Sequence, residues 1–335
     1  MPETPNLIHP VSIGPLRLAG NLALAPMHKR THLAMRLLSR RAGAALAHTE
    51  MAAPEDLLGA AGPRKGSNIL CSCDEDRPLG VQLLPRDPGP LAEAVAMLAE
   101  RKACDLVDLN FACPTKRVTR GGRGAAFLTD PDAAVRLVET VRRSGPMPVT
   151  IKMRMGFSDD SADERARALR LAREAAAAGA DAVTLHARTA VQQYHGQADW
   201  PTIRRWAEVL PVPVFGSGDL RSPEAIVRML AETGAAGASL ARGATGAPWI
   251  FRQTIDLAAT GSYRPVTSQE RARAFWEHYE GLVLQYGERI GLRLMRQVSL
   301  MYTRGIRGAP EARVAIQRAA SADDLRAIVR KYFND

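Results

Sequence analysis

Long apolar runs are missing from this chain. No stretch of about 18 uninterrupted apolar residues occurs, so the sequence predicts no membrane span. The opening "MPETPNLIHP" has no basic segment followed by an apolar one, and no secretory leader is expected. Cysteine is scarce: Cys71, Cys73, Cys104 and Cys113 are the only four in 335 residues. That excludes a disulfide framework on so long a chain and makes a reducing cytoplasm the expected location. Cys71-Ser72-Cys73 has no second pair at metal-ligand spacing, so no metal is expected there. Two phosphate-binding signatures are absent as well. No G-x-x-x-x-G-K-[ST] exists, and no G-x-G-x-x-G follows the first strand-like run, which argues against a doubly wound dinucleotide sheet. Acidic residues are outnumbered, 35 Asp+Glu against 45 Lys+Arg, for a net charge of +10. A basic surface favours a polyanionic partner: RNA, DNA or an anionic membrane face.

What is present is a regular alternation. Short β-rich runs lie at 22–26, 45–50, 79–84, 106–111, 148–154, 181–187, 211–217 and 236–241, with helical patterns between most of them. Asp130 with Pro131, and Ser222 with Pro223 and Gly234, are start and stop signals for two of the helices. Eight strands alternating with helices over about 250 residues predict an α/β fold, a (β/α)8 TIM barrel. "SIGPLRLAGNLAL" reads as a short hairpin ahead of it. From about residue 265 the strand signal stops. Segments 268–291, 292–303 and 321–333 read as helices, a small C-terminal all-helical domain with 12 Lys+Arg and 8 Asp+Glu over 265–335. The expected domains are 1–260 and 265–335.

In a barrel the chemistry sits at the C-terminal strand ends. Polar residues fall there on nearly every strand: Gln82, Asn110, Lys152 with Arg154, His186 with Arg188, "GSGD" at 216–219, and Arg242. Small residues at 216–218 and 243–247 would let backbone N–H groups approach a phosphate, with Arg242 supplying charge. Gln82, Asn110, Lys152 and His186 are groups that could hold a planar heterocycle. Phosphate grip plus heterocycle grip suggests flavin mononucleotide, although Lys152 could instead pair with a rim carboxylate. Beside them lies Cys113, followed by the basic glycine-rich loop "PTKRVTRGGRG". A free thiol is largely protonated at neutral pH and can act as an acid; an inert, part-buried cysteine is the alternative. Lys116 and Arg117 could hold a phosphodiester. His28 and His32, four apart, have no third ligand, so no metal site is expected.

The stretches "APM" (25–27), "TEM" (49–51), "VQL" (81–83), "DLNFACPTKRVTRGGRGAAFL" (108–128), "IKMRMGF" (151–157), "LHARTAVQQYHGQADW" (185–200), "GSGDL" (216–220) and "ARGATGAPWIF" (241–251) together resemble the tRNA-dihydrouridine synthases over nearly the whole chain. The resemblance implies an FMN-bearing barrel with a helical RNA-binding domain. It implies reduction of tRNA uridines to 5,6-dihydrouridine with NADPH as reductant, and Cys113 as the proton donor to carbon 5. Carried over by position, Pro26, Met27, His28, Gln82, Lys152, His186, Ser217, Gly218, Asp219, Ala241 and Arg242 are expected to hold FMN. Asn110, Lys116, Arg117, Arg154, Arg188 and Arg296 are expected at the substrate. A monomer is expected. The chain departs from the family pattern at "HKRTH" (28–32), Ala112, Ser217, "LPRDP" (84–88) and Arg296-Gln297-Val298. These departures leave open which RNA is the target. A flavin barrel acting on a small molecule, and an RNA-binding protein without catalysis, are the competing readings.

Overall fold

The computed structural model describes residues 6–59, 69–158 and 161–333. The leader expectation therefore rests in part on residues 1–5, outside the described ones. Two short strands, β1 (Val11–Ile13) and β2 (Leu16–Leu18), form an antiparallel hairpin. Eight more follow: β3 (Leu22–Leu24), β4 (Leu46–His48), β5 (Leu79–Leu83), β6 (Leu106–Phe111), β7 (Val149–Arg154), β8 (Ala182–His186), β9 (Val214–Ser217) and β10 (Gly237–Leu240). They pair in parallel in chain order, and β10 closes on β3. The chain is a (β/α)8 barrel with a helical C-terminal region. Most strands are shorter than the runs that announced them: 22–26, 45–50, 79–84, 181–187 and 236–241 give up residues at the rim end, whereas 148–154 and 211–217 lose them at the start.

Period-two alternation explains the strands and also positions the site. In β6, Val107, Leu109 and Phe111 are 0% exposed and join the apolar layer shared with Leu137 and Val138 of the helix Pro131–Ser144. The residues between them, Asp108 and Asn110, turn into the barrel. In β7, Val149, Ile151 and Met153 belong to that same apolar layer, while Thr150, Lys152 and Arg154 face inward. Register then sets neighbours: Gln82 beside Asp108, Asn110 beside Lys152, Arg154 beside His186, and His186 beside Ser217.

The helices start as their caps dictate. Asp130 accepts from the Ala133 N–H at 3.0 Å and Ser222 from the Ala225 N–H at 3.3 Å, each just ahead of a proline in the first turn. At the N-terminal strand ends the hairpin closes the barrel: Val11, Ile13 and Leu18 pack on Ala23, Leu46, Leu106, Ala182 and Phe215. The opposite end stays open.

The C-terminal region differs from expectation in two places. The helix foreseen over 268–291 is broken at Gly287, whose φ of 79° no other residue adopts cheaply, giving Ser268–Tyr286 and Glu288–Tyr302. A further helix, Ala309–Arg318, was not foreseen: only Ala312 and Ile316 of it are buried, too thin an apolar stripe to read. With Ala322–Tyr332 these helices share a core that includes Phe275, Leu282, Met295, Tyr302, Leu325 and Phe333. They sit against the helix Leu33–Arg41. His32, its N-cap, lies with its ring 4.8 Å from that of His278, and Arg41 reaches Glu277 at 3.3 Å. No helix among the described residues is long and apolar enough to cross a membrane.

Candidate active site

A cavity of about 1160 Å³ opens at the C-terminal ends of the barrel strands. Every residue expected at the flavin or the substrate lines it except Arg188 and Arg296. The position of Cys113 follows from its neighbours. Its N–H and that of Ala112 both donate to Asn110 Oδ1, at 2.9 and 3.0 Å. Asn110 Nδ2 donates to Gln82 Oε1 at 2.9 Å, and Gln82 Nε2 donates to Asp108 Oδ2 at 2.6 Å. The thiol of Cys113 lies 3.5 Å from Thr115 Oγ1 and on the cavity wall. The loop beyond it is anchored rather than loose: Arg123 donates to the Leu84 carbonyl at 2.7 Å and pairs with Glu55 at 3.0 Å. Lys116 and Arg117 have no ion pair among the described residues and line the cavity mouth.

Lys152 is part-buried, and no carboxylate among the described residues pairs with its ammonium. Burial first, then the nearby Arg154 charge, lowers it to about 8, against a partial pull upward from Asp108. The rim-carboxylate alternative is thereby not realised. Burial and then Arg154 and Lys152 push His186 well below its ordinary value, so the imidazole is neutral at neutral pH. Arg188 Nη1 lies 3.3 Å from His186 Nε2. A guanidinium only donates, so Nε2 accepts and the proton sits on Nδ1.

Three expected substrate residues are placed differently. Arg188 is 1% exposed and pairs with Asp219 at 2.6 Å, while also donating to the His195 and Gly196 carbonyls. It braces the loop after β8 against the loop after β9, and Trp200 Nε1 adds a bond to the Gly218 carbonyl at 3.2 Å. Arg154 lines the cavity, yet its guanidinium is held by the Ala112, Thr189 and Gln193 carbonyls at 2.8–2.9 Å. Burial lowers it to about 10. Arg296 lies away from the cavity, with its guanidinium donating to the Ala319 carbonyl.

The phosphate-like end is formed by β9 and β10. A side chain at Gly243 would put its Cβ 2.1 Å from the Leu220 carbonyl, so only glycine allows these two loops to touch. Ser239 Oγ is buried there with no hydrogen-bond partner among the described residues. Arg242 stacks on the Tyr194 ring at 4.2 Å and, like Arg221, has no ion pair among the described residues. The first rim loop diverges at its histidines. His28 is exposed, 3.6 Å from Glu50, which also accepts the Lys29 N–H. His32 turns inward to cap the helix Leu33–Arg41, so the two do not converge on one point.

Sequence reasoning passed over Asp108, Arg221, Ser239 and Tyr194. Asp108 carried a signal, a lone acid two residues before Asn110 in an otherwise apolar run. Tyr194 stood inside a quoted motif without a role. Ser239 and Arg221 had no distinguishing signal.

A family model described as dihydrouridine synthase matches residues 23–334. A probable tRNA-dihydrouridine synthase of Rhodobacter capsulatus is 36% identical over 97% of this chain and 98% of its own length. Counterparts in Treponema pallidum (a probable tRNA-dihydrouridine synthase; 97% of this chain, 96% of its own) and Pseudomonas aeruginosa (tRNA-dihydrouridine synthase B; 96% of each) are both 34% identical. Among solved structures, a 2-naphthoyl-CoA reductase complex superposes with a TM-score of 0.57 at 10% identity, over 75% of this chain and 52% of that one; this likeness concerns the fold alone. A match to the family over almost the whole chain, with relatives of nearly equal length, leads to one conclusion: the chain belongs to the dihydrouridine synthase family and is an oxidoreductase.

Proposed function

We propose that this enzyme reduces specific uridines of tRNA to 5,6-dihydrouridine, with FMN held at the barrel mouth and NADPH as reductant. The observation that carries the reading is the shared wall of one cavity: Cys113, Lys152 and His186 at one side, and Arg242 with the buried, unpartnered Ser239 hydroxyl at the other. These residues fit a flavin nucleotide. An unsatisfied hydroxyl, a glycine-only loop contact and free guanidinium groups suit a phosphate, and Lys152 suits a ring that gains negative charge. FMN bound there would supply the hydride chemistry that side chains cannot.

The chain's own residues do the rest. Asn110 holds the Cys113 backbone, so the thiol stays at the wall. Cys113 keeps a proton at Sγ and gives it to carbon 5 of the uracil, while a hydride equivalent arrives at carbon 6; the thiolate is then reprotonated from solvent. The target base must leave its stack to reach this depth. Residues 1–260 act as the catalytic domain and 265–335 as an RNA-binding domain, in a cytoplasmic monomer. Arg304, from the helical region, lies among Arg221, Arg30 and Arg313, a cluster of like charges suited to RNA phosphates.

The test is position-resolved dihydrouridine mapping of RNA treated with purified protein. Cys113→Ala is expected to retain flavin and RNA binding but to lose about 10²–10⁴-fold of the rate, the range for removing a general acid. Undiminished product from that variant rules out the acid role. Equal rates on free uridine and on tRNA place the enzyme among small-molecule reductases instead.

A further inference from the structure

Asp108 is 1% exposed, and the reaction described above does not use it. Two hydrogen bonds reach its carboxylate: Thr150 Oγ1 donates to Oδ1 and Gln82 Nε2 to Oδ2, each at 2.6 Å. An ionised carboxylate only accepts. Gln82 must therefore give its amide nitrogen to Asp108 and keep its Oε1 for Asn110 Nδ2, at 2.9 Å. At the other end, the N–H groups of Ala112 and Cys113 can only donate, and both use Asn110 Oδ1. The two ends thus impose one direction on the chain. Turning either amide over would set oxygen against oxygen or N–H against N–H in a buried place, where an unmade hydrogen bond is costly.

This direction decides what the wall can offer a ligand. Asn110 Oδ1 is filled by two N–H groups, while Gln82 Oε1 accepts one. The free edge of Asn110 is therefore an N–H, which has only the Met51 thioether, a weak acceptor, at 3.6 Å.

We propose that Asp108 sets the hydrogen-bond polarity of the cavity floor: through Gln82, and with the backbone end holding Asn110, it turns the free edge of Asn110 to the cavity as a donor. Such a wall accepts a pyrimidine that presents carbonyl oxygens, as uracil does, and rejects one that presents an amino group, as cytosine does. A site built to donate leaves its own groups unmet when the ring cannot accept. The assignment rests on the uridine reading of the preceding section. Asp108 touches neither ring and acts through the two amides, as a positioning residue that also holds the Cys113 backbone through the same chain.

The chain can be reversed by design. In Asn110→Asp, position 110 can still accept from Ala112 and Cys113, but Gln82 then lies between two acids and can serve only one. Adding Asp108→Asn lets Gln82 turn over, accepting from position 108 and donating to position 110. Three measurements on the flavin-loaded full chain decide the matter: the thermal midpoint, the rate of flavin reduction by NADPH, and the rate of flavin reoxidation by uridine-bearing RNA. Asn110→Asp should lower the midpoint and slow reoxidation by about 100-fold or more. The double variant should regain at least half of the lost midpoint, while reoxidation, taken relative to the rate of flavin reduction in the same variant, stays down by a similar factor, because position 110 now accepts. A merely structural role for Asp108 would restore stability and reoxidation together, and that outcome overturns the proposal. A double variant no more stable than Asn110→Asp overturns it equally. If Asn110→Asp does not fold, recovery of soluble protein in the double variant replaces the midpoint comparison. A wild-type enzyme that forms no dihydrouridine in RNA overturns the uridine reading, while the midpoint comparison still reports on the direction of the chain.

Discussion

The two ends of the barrel are made by the same eight strands and treat polar groups in opposite ways. At the closed end the acids are paired. Asp105 accepts the Leu79 N–H at 2.6 Å and pairs with Arg77, and Asp181 accepts the Val149 N–H at 2.8 Å and pairs with Arg142. Around them the hairpin residues Val11, Ile13 and Leu18 exclude water. At the open end a buried hydroxyl has no partner, a part-buried ammonium has no carboxylate, and several guanidinium groups stand without ion pairs among the described residues. The buried hydroxyl and the part-buried ammonium cost stability. Groups left unsatisfied together, in one cavity, mark where a ligand completes the structure.

Two cations, Arg36 fully buried and Lys152 part-buried, sharpen the contrast. Arg36 is enclosed by Asp76, at 2.8 Å, and by the Thr31 and Cys71 carbonyls. Lys152 has no such enclosure. The largest expected effect is therefore at the satisfied pair: Asp76→Ala, which strands Arg36, should cost about 3–5 kcal/mol in denaturant unfolding. If that loss is absent, burial and satisfaction are not what separates the two cations.

Lys152→Met should do the reverse, leaving the protein as stable or more stable by about 1 kcal/mol, since a part-buried charge without an ion-pair partner is removed, while dihydrouridine formation collapses. The wild type carries a pH signature of the same lysine. Its ammonium titrates at about 8 in the fold, against an ordinary value near 10.5. The unfolded chain thus holds the extra proton between those values, and stability rises as pH increases from about 8 toward 10.5. Unfolding measured across that window should show this rise in the wild type and lose it in Lys152→Met.

A smaller effect is expected where the helical region meets the barrel. His32 Nδ1 accepts from the Met35 N–H, so Nε2 donates to His278 Nε2 at 3.4 Å, and His278 Nδ1 donates to Tyr302 at 3.0 Å. Both rings are held neutral: burial lowers His278 to about 3, and burial, His278 and Arg36 lower His32 well below its ordinary value. As pH falls below about 6.5, the unfolded chain takes up these protons first, and stability declines toward pH 3. His278→Gln, which can still accept from His32 and donate to Tyr302, should reduce that decline by about half, measured as the thermal midpoint between pH 7 and 4.5. An unchanged slope would remove this contact from the account. Smallest of all, Ser239→Ala should shift stability by less than about 0.5 kcal/mol, since its hydroxyl has no partner to lose, yet weaken flavin retention in equilibrium dialysis.

The alternation of strands and helices, the caps Asp130 and Ser222, and the polar residues at strand ends were all readable because each is local: period, cap chemistry and turn signals act within a few residues. Lys152 and Asn110 were recognisable for the same reason, as polar side chains interrupting apolar β runs, and Cys113 as a lone thiol between a strand-like run and a basic, glycine-rich loop. The break at Gly287 was missed because helical periodicity continues on both sides of it, and Ala309–Arg318 because its buried stripe is only two residues wide.

What the chain alone determined, then, is the barrel, its open end and the chemical types that gather there. Only the tertiary structure decided which of them face the cavity and which support it. Arg188, Arg154 and Arg296 are alike in sequence, but they end respectively on Asp219, on three carbonyls and on Ala319, because a guanidinium takes whichever acceptors the folded chain brings within about 3 Å. The direction of the Asp108–Gln82–Asn110 chain is likewise absent from the sequence. It arises when β5, β6 and the Cys113 turn meet in register, and an acceptor-only carboxylate and two donor-only amides close on the same pair of side chains.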